Sequence, residues 1–107
     1  MKIKVFHAAF ETTPVHIATV QAPHDATSAE SAAEYAYRWT QNIMDSWSHP
    51  EHGIADRNHN VTVEVPVEQY GHRSTSMGDY CEVDGVLFKC AAVGFEPAEK
   101  IECRQPF

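Results

Sequence analysis

The segment Tyr80-Cys-Glu-Val-Asp-Gly-Val-Leu-Phe-Lys-Cys90 constrains the fold more than any other stretch, because Asp84-Gly85 stands between two alternating runs. An Asp-Gly pair tolerates positive φ at both central positions of a two-residue turn, and the twist of that turn suits paired strands. The spacing predicts a hairpin in which Val83 opposes Val86 and Cys81 opposes Phe88. Cys81, Val83, Val86, Phe88 and Cys90 then share an apolar face suited to packing under a helix. Tyr80, Glu82, Leu87 and Lys89 share a mixed face that is at least partly wet.

The rest of the chain supplies partners for this hairpin. Ile3 and Val5 alternate with Lys2 and Lys4, with Phe6, Ala8 and Phe10 extending the apolar content, and predict a first strand within 2–10. The β-branched run Val15 to Val20 predicts a second. Thr27 with Glu30 three residues on has the form of a capping box. The spacing of Ala29, Ala32, Ala36, Trp39, Ile43 and Trp47 then predicts one long helix to about Ser46. Residues 48–60 read as a loop. Val61, Val63, Val65 and Val67 alternate with polar residues as a strand, which Pro66 confines to an edge or ends. Residues 70–79 are an ordered loop, Gly94-Phe-Glu-Pro97 a turn, and Ala98 to Cys103 a last strand or helical turn. The fold class is α+β: a helix on an antiparallel sheet of four or five strands, in a single domain spanning 1–107.

Hydrophobic residues make up 43% and charged residues 21% of the 107 positions, close to the globular average. The first residues lack the apolar run of a secretory signal, and no stretch approaches the ~20 apolar residues that cross a bilayer, so neither export nor a membrane is expected. Eight scattered basic residues against fifteen acidic ones give a net charge of −7, which disfavours direct binding of nucleic acid. Three cysteines, two of them diagonal on the hairpin's core face, point to reduced core thiols rather than a disulfide framework.

Residues that could carry chemistry do not assemble into a known pattern. His49-x-x-His52, with Glu51 between and His59 seven residues later, matches no metal signature, so no metal or cofactor is expected. Ser74, Ser76 or a cysteine with His72 as base lacks a nucleophile elbow. Ser74, Thr75 and Ser76 instead suit turns that order the loop. Tyr35, Tyr37, Trp39 and Trp47 read as core aromatics before interface anchors.

Tyr70-Gly-His-Arg-Ser-Thr-Ser-Met-Gly-Asp79, Glu82-Val-Asp-Gly85, Phe88 and Gly94-Phe-Glu96, with Glu34-Tyr-Ala-Tyr-Arg-Trp-Thr-Gln-Asn42 and Ser46-Trp-Ser48 upstream, resemble a motif of small accessory proteins of phages, plasmids and other mobile elements. That resemblance implies a cytoplasmic setting in a bacterial host and transfers no catalytic residue. It implies inhibition of a host defence nuclease complex, of anti-CRISPR or anti-restriction type, by occupying a surface that binds nucleic acid. The expected partner is a protein with a basic surface. The candidate contact residues are Glu30, Glu34, Asp79, Glu82, Asp84, Glu96, Glu99 and Glu102. The competing expectation is a small enzyme or metal-binding regulator using His49, His52, His59 or His72.

Overall fold

The computed structural model describes residues 1–23, 28–42, 46–48, 60–67 and 71–103. Its elements are β1 (Lys2–His7), β2 (Val15–Gln21), α1 (Ala29–Trp39), β3 (Val61–Val63), β4 (Tyr80–Val83), β5 (Val86–Cys90) and β6 (Phe95–Pro97). The strands form one six-stranded sheet in the order β3-β2-β1-β4-β5-β6, every neighbouring pair antiparallel. The helix packs over the central strands β1 and β4.

The hairpin register is the one the turn dictates, with Val83 opposite Val86 and Cys81 opposite Phe88. Asp84 at φ 46° and Gly85 at φ 88° both occupy the left-handed region that this turn requires. Ile3, Val5, Ala18, Val20, Val61, Cys81, Val83 and Cys90 join Ala32, Ala33 and Ala36 of α1 in one buried cluster. Alanines at this face let the helix approach the sheet closely. Tyr35, Tyr37 and Trp39 pack at its border, and Tyr37 meets the Phe95 ring edge-on at 6.1 Å.

Several sequence expectations need correction. A sixth strand arises because the amide of Ala91 donates to the Gly94 carbonyl (3.0 Å), which sends Phe95 back along Cys90. The strand is therefore Phe95–Pro97, and Ala98 to Cys103 form neither strand nor helix. This last segment runs behind the sheet, where the Glu102 amide donates to the Tyr80 hydroxyl (3.2 Å). Tyr80, on the face expected to be wet, is consequently buried, whereas Val86 lies at the hairpin tip and is half exposed.

The helix is also shorter than its periodicity suggested. Its start is a capping box of Ser28 and Ser31, each side chain bonded to the other's amide at 3.1 Å; Thr27 lies outside the described residues. Its end is Thr40, where loop 72–75 takes over the terminal bonding. The Thr40 carbonyl accepts from the Thr75 amide (3.0 Å), and Gln41 Nε2 donates to both Tyr37 O (2.9 Å) and Thr75 O (2.7 Å). Asn42 N donates to Ser74 Oγ (2.7 Å), turning the chain aside. Trp47 therefore sits off the helix, its indole Nε1 donating to Arg73 O (2.9 Å).

The strand at Val61 ends after Val63, before Pro66, and β3 is an edge, as proline demands. Gly85→Ala should destabilise the fold by about 1 kcal/mol, since an added Cβ meets no neighbour but the positive φ opposes an L side chain. Asp84→Gly should cost less, and paired urea titrations check the order.

Candidate functional site

Among the described residues the buried polar side chains gather toward the end of the sheet where β1 and β5 leave and β4 enters. Asp79, fully buried, accepts at Oδ1 from the amides of Ala8 (2.8 Å) and Ala9 (2.9 Å) and at Oδ2 from the amide of Ser76 (2.7 Å). Arg73 closes the arrangement with two bonds to the same carboxylate, each 2.8 Å, and one to Glu11 Oε1 at 2.8 Å. Its guanidinium carbon also lies 4.8 Å over the Phe10 ring. Burial opposes the Asp79 charge, yet Arg73 and the Ala9 and Ala8 amides prevail and hold the carboxyl below its ordinary pKa. Burial likewise opposes the Arg73 charge, but its bonds to Asp79 and Glu11 keep it protonated.

His7, 2% exposed, lies beneath this pair because β1 alternation puts it on the same face as Ile3 and Val5. Its Nε2 is 3.0 Å from Thr75 Oγ1, which is 2.7 Å from Thr40 Oγ1 at the helix end. Trp47 stands edge-on to the imidazole at 6.4 Å. Desolvation lowers the His7 pKa to about 4, against opposing and reinforcing contributions from Asp79, Arg73, Glu11 and His72. The ring is neutral at pH 7.

These groups resemble catalytic furniture in type but not in access. His7, Thr40, Thr75 and Asp79 are all buried, and each is engaged by its neighbours. His72, the base considered from the sequence, is bonded through Nε2 to Val65 O (2.8 Å), and Ser74 Oγ accepts from Asn42 N. Behind the sheet, His16 Nε2 lies 3.0 Å from Thr19 Oγ1, which donates to Glu64 Oε2. There the hydroxyl stands between base and acid, not beside a base that a third group orients. Cys81 and Cys90 are buried free thiols, and the hydrogen bond that the Cys81 thiol makes to Cys90, followed by burial, pushes the Cys81 pKa well up, away from thiolate reactivity. Among the described residues no three His, Cys, Asp or Glu side chains gather as cation ligands; His49, Glu51, His52 and His59 lie outside them.

No family model, curated protein or solved structure matches this chain.

The candidate contact carboxylates separate into groups. Asp79 is not one of them, because it is enclosed and serves the fold. Glu30 and Glu34 are exposed on α1, Asp84 at the β4–β5 turn, Glu96 on β6, and Glu99 and Glu102 on the segment behind the sheet. Glu82 is half-buried opposite Lys4, and Glu102 is 3.7 Å from Lys100. They form no single acidic stripe. Sequence reasoning missed the buried roles of His7 and Arg73. The signal available for His7 was its place two residues beyond Val5 in an alternating strand.

Asp79→Ala should cost about 3 kcal/mol, since it leaves Arg73 and three amides without their acceptor; chemical denaturation measures it. Acid should destabilise the protein in two windows. His7 takes up its proton less readily folded than unfolded, so stability should fall by on the order of 3 kcal/mol as pH drops from 6.5 to about 4. Asp79 stabilises above its unfolded pKa of 3.8, and that contribution is lost only at still lower pH. Thermal melts of His7→Gln should lack the first window and keep the second.

Proposed function

We propose that this protein is a non-catalytic, protein-binding accessory factor of a mobile element. In this reading it inhibits a host defence nuclease complex, of anti-CRISPR or anti-restriction type, by covering a basic surface that would hold nucleic acid. The observation that carries the reading is a division of polar groups. Among the described residues His7, Thr40, Thr75 and Asp79 are enclosed and held by hydrogen bonds within the fold, while the exposed ionisable side chains are mostly carboxylates. A net charge of −7 repels phosphate and speeds encounter with a basic partner.

Because Glu30, Glu34, Asp84, Glu96, Glu99 and Glu102 are spread over several elements, shape carries more of the selectivity than a single charged stripe would. No helix among the described residues is long and apolar enough to cross a membrane. The resemblance of the Arg73 to Glu96 segment to mobile-element proteins supplies the bacterial, cytoplasmic setting of the proposal.

Affinity capture from a bacterial host, followed by nuclease assays with the retained complex, tests this. The expected outcome is a nucleic-acid-binding nuclease whose cleavage stops at stoichiometric inhibitor. Charge reversal of Glu30, Glu34 and Glu96 to Lys should weaken inhibition about tenfold, as rim charges act mainly on association. Turnover of a substrate by the pure protein, abolished by replacing His16 or His72, would refute the proposal in favour of an enzyme.

A further inference from the structure

We infer that the sheet end built around Asp79 is the contact surface, and that its occupant is a protein presenting an apolar pocket ringed by Lys and Arg. This inference rests on the protein-binding reading and adds where the partner sits and what its face must be. Phe10 is 60%, Met77 47% and Val93 92% exposed, three of the five large apolar side chains that are open to solvent among the described residues. All three belong to loops at one end of β1, β4 and β5, adjacent strands that lie ~4.8 Å apart.

Bonding fixes those loops side by side. The Phe10 loop is held by the Ala8 and Ala9 amides on Asp79, and Met77 sits in the turn closed by Asp79 N on Ser76 O (3.0 Å). Gly78 N donates to Cys90 O (2.9 Å), and the Ala91 to Gly94 turn carrying Val93 follows directly. Met77 therefore lies between Phe10 and Val93. Loops ordered before binding lose little entropy on association. An aromatic ring, a methionine and an arginine on such a platform have the composition of an interface core.

The charge around this patch selects the occupant. Asp79 and Glu11 exceed Arg73 by one negative charge, His7 is neutral, and Glu30 Oε1 comes within 3.8 Å of where a Cβ on Gly94 would stand. A second copy of a chain with net charge −7 would bring like charge against like. Phosphates of nucleic acid and anionic lipid headgroups are repelled for the same reason. A basic protein face is the class that satisfies both the apolar centre and the negative rim.

Photo-crosslinking in bacterial cells tests the surface, with benzoylphenylalanine replacing Met77, Val93 or, at the opposite end of the sheet, Asp84. The expected result is one adducted protein from positions 77 and 93 and none from 84. That adduct should fall at least fivefold with Phe10→Ser or Glu30→Lys, both exposed changes whose folding circular dichroism verifies. The purified partner should bind at least tenfold more weakly in 0.5 M than in 0.15 M salt, as expected when the Debye length shrinks below ~8 Å. An adduct from 84 alone would overturn the surface and leave protein binding standing. Adducts insensitive to salt and to Glu30→Lys, or adducts with a second copy, would overturn the basic partner. No adduct from any position would overturn the protein-binding reading itself.

Discussion

One buried carboxylate ties this fold together. Asp79 receives amide hydrogens from the end of β1 and from the loop before β4, and a guanidinium from Arg73 in the stretch that also holds the helix end. A buried ion pair contributes little net stability compared with well-packed apolar side chains, because desolvation opposes the attraction between its charges. Its effect is on specificity. A backbone that must present three amides and an arginine to one carboxylate has few alternative arrangements, and each costs unsatisfied polar groups. Thr75 extends this control to Thr40 and so to where α1 stops.

An imidazole, two threonine hydroxyls, a carboxylate and a guanidinium meet within one region, a set that could support acid–base chemistry if open to water. Here the imidazole, hydroxyls and carboxylate are enclosed, and the partly exposed guanidinium is held by Asp79 and Glu11. What the end of the sheet offers outward is Phe10, Met77 and Val93, carried by loops whose geometry is set from beneath. The buried network thus sets the positions of the apolar side chains exposed at this end of the sheet.

Local chemistry was readable wherever neighbouring residues alone decide the outcome. Asp84-Gly85 dictated the register of β4 and β5, and Pro66 limited the Val61 strand, which stops at Val63 and lies at an edge. Alternation identified β1 and β-branched residues identified β2, although the bulge near Phe6, which pairs Phe6 with His16 and skips Ile17, left no trace in the pattern. The helix end was not readable, because Gln41 and Asn42 suit a helix until a loop more than 30 residues away takes their hydrogen bonds. Asp79 read as a surface acid for the same reason: its partners Ala8, Ala9 and Arg73 come from separate parts of the chain. A three-residue strand such as β6 falls below what periodicity can resolve.

Amide hydrogen exchange at Ala8, Ala9 and Ser76 tests most directly whether the Asp79 carboxylate governs this end of the molecule. These loop amides should exchange as slowly as those of Val5 and Cys81 in the central strands, through global unfolding. Exchange at the rate of an open loop, with the strands still protected, would contradict the role assigned to Asp79.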